Sequence, residues 1–366
     1  MLIFIENLFE LRAGFVSLQC CAPSNVTDPE TKISWTSDID LFPKKGSCEN
    51  ISISVANNLT HNQARIFGTS SGNKWCYNLT TTTGRDYLIR GTFLHNSSPR
   101  TIPEIYFDVS LGATTITRVN SLVESLEVEG VFRATNDHVN FCLVKKEGNP
   151  YLSKLELRPL KELDYLKSDS SKLLKVIRRV DAGNTQGLIR HPYDVNDRIW
   201  NLDAIQSENI SNINTIVSLA NATIPVQVLH TALTDSKRLM FYYDDLDEGI
   251  NEYQIILYFL ELNDSIRIGQ RVFDIYVNGV KKHENFDILE NDQNTNYREV
   301  VLNTSANGVL NVSLVKVLDG IEFGPICNAY EIYQKVDLVE GTLQQDGPFN
   351  LFISPDFLFS TTVEGV

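Results

Sequence analysis

Three short stretches of this 366-residue chain have residue types and spacing that enzymes use. Gly68-Thr69-Ser70-Ser71-Gly72 matches G-x-S-x-G, in which a serine nucleophile stands on a strained turn between a strand and a helix. Asn73-Lys74-Trp75-Cys76-Tyr77 follows and starts no helix, so a loop is expected there. Asp244-Asp245-Leu246-Asp247-Glu248-Gly249 has the acidity of a calcium loop, but Leu246 falls on a ligand position and no closing glutamate follows, which leaves an acidic turn. His283-Glu284 lacks the second histidine that a zinc-protease helix needs. No carboxylate pair is marked as a glycosidase acid and nucleophile, and no glycine loop would cradle a phosphate. The residues therefore call for no catalytic group, no metal and no cofactor.

The chemistry they do support is cross-linking and decoration. Of six cysteines, Cys20, Cys21, Cys48 and Cys76 lie near the N-terminus among Pro, Gly, Ser and Asn. Without C-x-x-C or paired histidines they make no zinc site. They read as a disulfide clamp formed in an oxidising compartment. Adjacent Cys20 and Cys21 cannot readily join each other, so Cys48 and Cys76 are their natural partners, in an order the sequence leaves open. Cys142 and Cys327 sit in apolar surroundings and read as small buried hydrophobes. Ten N-x-S/T sequons begin at Asn25, Asn50, Asn58, Asn78, Asn96, Asn209, Asn221, Asn263, Asn303 and Asn311. That density suggests a glycosylated, secreted surface. A sequon inside a strand, such as Asn311-Val312-Ser313, must point outward to be used.

The elements that carry these residues are strands. Ile255–Leu260 is an unbroken apolar run that suits a strand buried on both faces. Val272–Asn278 alternates, with Phe273, Ile275 and Val277 on the apolar side, and Asn278-Gly279 signals a tight hairpin. The arrangement is repeated. Tyr87–Phe93 and Tyr106–Leu111 form an earlier pair of the same kind, and Tyr87 to Phe107 and Tyr253 to Phe273 are both 20 residues apart. Phe141–Lys145 with Leu155–Leu157 is echoed by Val312–Lys316 with Tyr330–Ile332. Three elements recurring in one order imply a duplicated β-module.

Composition agrees with an ordinary globular chain, 42 % hydrophobic and 21 % charged. A formal net charge of −14 argues against a nucleic-acid or anionic-membrane surface, since phosphates need a basic face. No apolar run reaches the ~18 residues of a membrane span. Residues 1–19 read as a poor leader, with no basic start and with Glu6 and Glu10 in the run. Residues 20–160 make a first β-sandwich module. Residues 161–187 make a linker, in which Leu163, Leu166, Leu173, Leu174 and Ile177 predict a short helix. Residues 188–335 make a second module, and residues 336–366 an irregular tail.

Five stretches carry a resemblance. Arg190-His191-Pro192-Tyr193-Asp194-Val195-Asn196-Asp197-Arg198-Ile199-Trp200 resembles the R-x-P-x-D-x-x-D-R-I-W signature of plant malectin-like ectodomains. Tyr151–Leu160, Val228–Thr234, Gln270–Asn278 and Asn328–Ile332 match the same family, and together they cover most of residues 15–335. Cys20-Cys21-Ala22, Glu129–Thr135 and Glu322–Pro325 are most similar to its symbiosis receptor-like kinase group. The resemblance implies an all-β fold of two tandem malectin-like, jelly-roll-like β-sandwich domains joined by a short helical linker. It implies an extracellular, non-catalytic module on the outer face of a plant plasma membrane, binding a carbohydrate or protein ligand with a co-receptor, in root symbiosis signalling. Family members continue into leucine-rich repeats, a membrane span and a kinase. None follows Gln334 here, so the chain reads as a truncated gene product, a splice form or an isolated ectodomain. On chemistry alone, Trp35, Trp75, Tyr242 and Tyr243 are the aromatic candidates for stacking on a sugar. A secreted lectin-like protein and a cell-wall hydrolase are the alternative readings.

Overall fold

The computed structural model describes residues 15–39, 46–52, 62–68, 72–96, 104–160, 165–166, 169–202, 208–211, 222–290, 295–317, 321–339 and 350–353. Among them there is no α-helix; the one helical element is a 3-10 turn at Val226–His230. The backbone divides into two compact units: Met1–Lys175 with Val336–Val366, and Val176–Lys335.

The first unit contains β1 (Val16–Gln19), β2 (Lys74–Thr80), β3 (Asp86–Leu94), β4 (Tyr106–Leu111), β5 (Thr114–Asn120), β6 (Ser125–Arg133), β7 (His138–Glu147) and β8 (Lys154–Pro159), and it takes in the start of β9 (Lys172–Asp181). One sheet runs β1-β8-β3-β6, with Gly130 and Val131 of β6 in register with Lys175 and Leu174 of β9. The other runs β2-β7-β4-β5. Alternate residues of both close on one core, in which Tyr87, Ile89, Phe93, Leu155 and Leu157 meet Trp75, Tyr77, Phe107, Phe141 and Leu143. Phe93 and Phe107 span the two sheets with ring centroids 5.7 Å apart. Each such side chain contributes about 1.5–3 kcal/mol of burial. The sheets approach so closely at Gly91 that a Cβ there would stand 2.8 Å from Phe141 Cζ.

The second unit takes in the rest of β9 and contains β10 (Arg238–Tyr243), β11 (Asn251–Leu260), β12 (Val272–Val277), β13 (Val280–Asp287), β14 (Tyr297–Ala306), β15 (Leu310–Lys316) and most of β16 (Ala329–Asp337). Its sheets run β16-β11-β14 and β10-β15-β12-β13. The order matches β8-β3-β6 and β2-β7-β4-β5 strand for strand, so the duplication is one of topology as well as of pattern. Tyr253–Leu260 is buried throughout, and β12 alternates with Phe273, Ile275 and Val277 inward. Phe259, Phe273 and Phe286 form a ring cluster with centroids 4.9–5.7 Å apart. Asn278 and Gly279, at φ 47° and 77°, turn the two-residue hairpin between β12 and β13.

Three expectations need correction. Lys172–Asp181 is a strand, not part of a linker helix. Leu173, Leu174 and Ile177 have helical spacing, but Val176, Ile177 and Val180 are β-branched, and β6 offers ladder hydrogen bonds. Residues 161–164 and 167–168 lie outside the described residues. Val16–Gln19, assigned to a leader, is a buried strand because Val16 and Leu18 join the first core. The irregular tail holds structure at both of its described parts. Val336 and Asp337 finish β16, Val336 and Leu338 pack on the first core, and β17 (Asn350–Ile353) pairs in parallel with β2.

Candidate recognition site

The cysteines are joined as Cys21–Cys48 and Cys76–Cys142. Around the first bridge, Cys48 stands in register with Arg65 on neighbouring short strands. Arg65 forks onto Asp38 at 2.6 and 2.7 Å, and Asp38 Oδ1 also accepts the Cys21 amide at 2.6 Å. Cys76 and Cys142 face each other on β2 and β7. The expectations for Cys20 and Cys142 are therefore corrected. Cys20 keeps its thiol, fully buried 3.7 Å from the Tyr77 hydroxyl, and burial, with Asp38 adding, pushes its pKa well up. Cys142 is cross-linked. The alternation of β2 and β7 held the signal: Trp75, Tyr77 and Leu79, like Phe141 and Leu143, take the core face and leave both cysteines on the other.

The signature stretch is an internal brace. Arg190 grips Asp197 with bonds of 2.9 and 2.8 Å, and Asp194 Oδ2 accepts Arg198 Nε and Trp200 Nε1, each at 2.8 Å. Trp200 lies edge-on to Tyr258 at 5.9 Å. Tyr258 in turn donates to Glu331 at 2.7 Å, and Arg179 and Tyr333 complete that carboxylate at 2.5 and 2.6 Å. Burial alone would raise the Glu331 pKa, but Arg179 and Arg198 beside it hold the group below its ordinary value. On the corresponding strand of the first unit, Glu156 is met by Arg90 at 3.1 Å and Arg158 at 2.6 Å. At the loop tip the apolar side chains point the other way: Tyr193 is 61 % exposed and Val195 72 %. Sequence reasoning found the motif but not that its charges are spent inward.

Of the aromatic candidates, Trp35 and Trp75 are corrected: both are core anchors. Trp35 is buried with Lys154 Nζ 4.8 Å from its ring, and Trp75 packs on Phe67 at 5.7 Å. Loop-like neighbours in sequence concealed alternating strands that turn both rings inward. Tyr243 is half-buried, its hydroxyl 2.5 Å from that of Tyr330 and Arg178 4.8 Å over its ring. Tyr242, one residue earlier on β10, is exposed. Trp35 and Trp75 belong to the first unit, Tyr242 and Tyr243 to the second.

The sequons differ in availability. Asn25, Asn50, Asn263 and Asn303 are exposed. Asn78 is corrected, since it is buried and its Nδ2 donates to Asn140 Oδ1 at 3.0 Å. Asn96 Nδ2 donates to the Asn50 carbonyl at 3.0 Å. Asn58, Asn221, the side chain of Asn209 and Ser70 lie outside the described residues. Asp244–Gly249 forms a turn in which Asp245 pairs with Arg178 at 2.5 Å. Deep in the second unit, burial pushes the Asp181 carboxyl up to about 7, and hydrogen bonds from Asn184 Nδ2 (2.7 Å) and Thr231 Oγ1 (3.1 Å) offset this only in part. Among the described residues no cluster of His, Cys, Asp or Glu could hold a metal ion, and no helix is long and apolar enough to cross a membrane.

The malectin-like domain family matches residues 18–335. The chain is 43 % identical over 348 residues to the Nodulation receptor kinase of Pisum sativum, covering 94 % of this chain and 37 % of that protein. It is 30 % identical over 361 residues to a probable LRR receptor-like serine/threonine-protein kinase of Arabidopsis thaliana, covering 91 % and 38 %. The chain thus spans little more than a third of these relatives. The ANX2 ectodomain from Arabidopsis thaliana superposes with a TM-score of 0.72 at 17 % identity, over 88 % of this chain and 96 % of that one. A structure of the plant peptide RALF23 in complex with FER and LLG2 matches with a TM-score of 0.69 at 17 % identity, over 88 % and 95 %. At such identities the likeness is one of fold.

Proposed function

Because this chain belongs to the malectin-like domain family, we propose that it is the extracellular recognition part of a receptor-like kinase, a module that binds and performs no chemistry. The observation that carries this reading is the 43 % identity, across 94 % of the chain, to the Nodulation receptor kinase of Pisum sativum. The same identity supports root symbiosis signalling as the process. Two disulfides support an extracellular setting, since such bonds persist in oxidising compartments. A protein or peptide ligand taken together with a co-receptor is supported by the neighbouring FER fold, solved with RALF23 and LLG2. It is supported too by the signature loop, which offers the exposed Tyr193 and Val195 on a base braced by two ion pairs, of which Arg198–Asp194 is buried. Stacking on a free sugar has lost two of its four rings, Trp35 and Trp75, to the core.

The test places this chain in the Pisum sativum receptor in exchange for the residues it aligns with, in plants lacking that receptor. Restored nodulation is expected. A chimera that reaches the cell surface and restores nothing overturns the symbiosis assignment. Strong, sequence-dependent hits for the purified chain on a glycan array would overturn the protein-ligand reading.

A further inference from the structure

The sheet β10-β15-β12-β13 has one face in the core of the second unit and one turned to solvent. Open faces of antiparallel sheets are usually polar. On β10, however, Met240 and Tyr242 stand side by side on the open face, 46 % and 51 % exposed. Together they offer a small apolar surface on that face, room enough for one flat partner.

The register names the occupant. Asn311 lies directly opposite Tyr242, and Ser313 directly opposite Met240. Side chains so paired stand about 5 Å apart at Cβ. Asn311-Val312-Ser313 is a sequon. Its amide is also posed for use. Ser313 Oγ donates to Asn311 Oδ1 at 2.9 Å and holds the carbonyl end. Among the described residues the only partner of Nδ2 is Met240 Sδ, at 3.7 Å, a weak acceptor. Nδ2 therefore faces the apolar pair and has no strong bond to give up, in contrast to Asn78 and Asn96, whose Nδ2 groups donate to Asn140 and to the Asn50 carbonyl.

We propose that Asn311 carries an N-linked glycan and that its first sugars lie on Met240 and Tyr242, so that this face is covered by the chain's own carbohydrate. The anomeric C–O bond of a polyprenyl-diphosphate-linked oligosaccharide breaks, and the diphosphate leaves with the bonding pair. The anomeric carbon bonds to Nδ2, which releases one proton. The C–H face of the sugar then rests on the phenol ring, whose π-face is electron-rich. Tyr242 is on this reading occupied from within, and an incoming ligand must bind elsewhere.

The inference rests on the extracellular route proposed above, and the experiment separates the two. The whole chain is secreted from a eukaryotic host and its glycopeptides are mapped by mass spectrometry, with the exposed Asn263 and Asn303 as internal references. Sugar at Asn311 as well as at the references is expected. References occupied and Asn311 bare overturn this inference alone; no sugar at any sequon overturns it together with the secreted reading. Thermal unfolding then tests the contact. N311Q and Y242A are each expected to lower Tm by ~2–4 °C, the shift for one aromatic contact in a unit of this size. The double variant should lose no more than either alone, and this coupling should vanish in protein made without glycosylation. Additive losses, or coupling that persists without sugar, overturn the stacking.

Discussion

Cys76 and Cys142 lie directly opposite each other on adjacent antiparallel strands, with Cα atoms 4.1 Å apart, and are bonded across the ladder. The bond closes 66 residues of chain, whereas Cys21–Cys48 closes 27.

In the chain-entropy account, a loop of the longer size is worth ~4 kcal/mol and one of the shorter ~3.5 kcal/mol. C76A/C142A is therefore expected to destabilise the first unit by about that larger amount, and C20A to leave the pairing intact. Urea unfolding measures the first. Peptide mapping under non-reducing conditions checks the second, and should find Cys20 and Cys327 as thiols and the other four cysteines paired as described.

Removing one partner of a buried ion pair leaves the other charge uncompensated, at a cost of about 3–5 kcal/mol. Arg179 and Glu331 are 2 % and 0 % exposed at the side chain. E331A should therefore lower the stability of the second unit by that order in urea. R179M/E331L, which removes both charges, should lose distinctly less. Equal losses in the two variants would mean that packing, not charge, decides the site.

The second unit should be more stable in mild acid than at neutral pH. The Asp181 carboxyl is raised from its ordinary 3.8 to about 7 in the folded chain. Between those values the folded state holds a proton that the unfolded state has released, so stability falls as pH rises through this window. The change is on the order of 2–4 kcal/mol across the whole range. Urea midpoints at pH 5 and pH 7.5 should differ in that direction, and D181N should shrink the difference.

Asn78 should carry no sugar in folded, secreted protein, because a glycan on Nδ2 would displace the Asn140 bond and open a buried strand pair. Glycopeptide mapping checks this. N78A should also destabilise the first unit by about 1–3 kcal/mol, the cost of leaving Asn140 unsatisfied.

Much of the fold was legible because period and spacing are local properties of the chain. The unbroken run at Ile255–Leu260, the alternation of Val272–Val277, the turn at Asn278-Gly279 and the equal 20-residue spacings all reappear as strands in one repeated order. Where two local patterns competed, the neighbours chose: Leu173, Leu174 and Ile177 could have lined a helix, but β6 stands beside them and pairs with that segment. The candidate site was less legible. Trp35 and Trp75 have the chemistry of a sugar platform, yet only the curl of their strands around a core shows them turned inward.

Residue types alone determined that this chain is a duplicated β-protein, cross-linked and rich in sequons, because alternation, turn residues and sequons are written in neighbouring positions. Which cysteines join, which asparagines stay open and where the signature charges point was settled only in three dimensions. Those outcomes depend on what a strand finds across the ladder, tens of residues away in the chain, and on which side of a sheet is left for water.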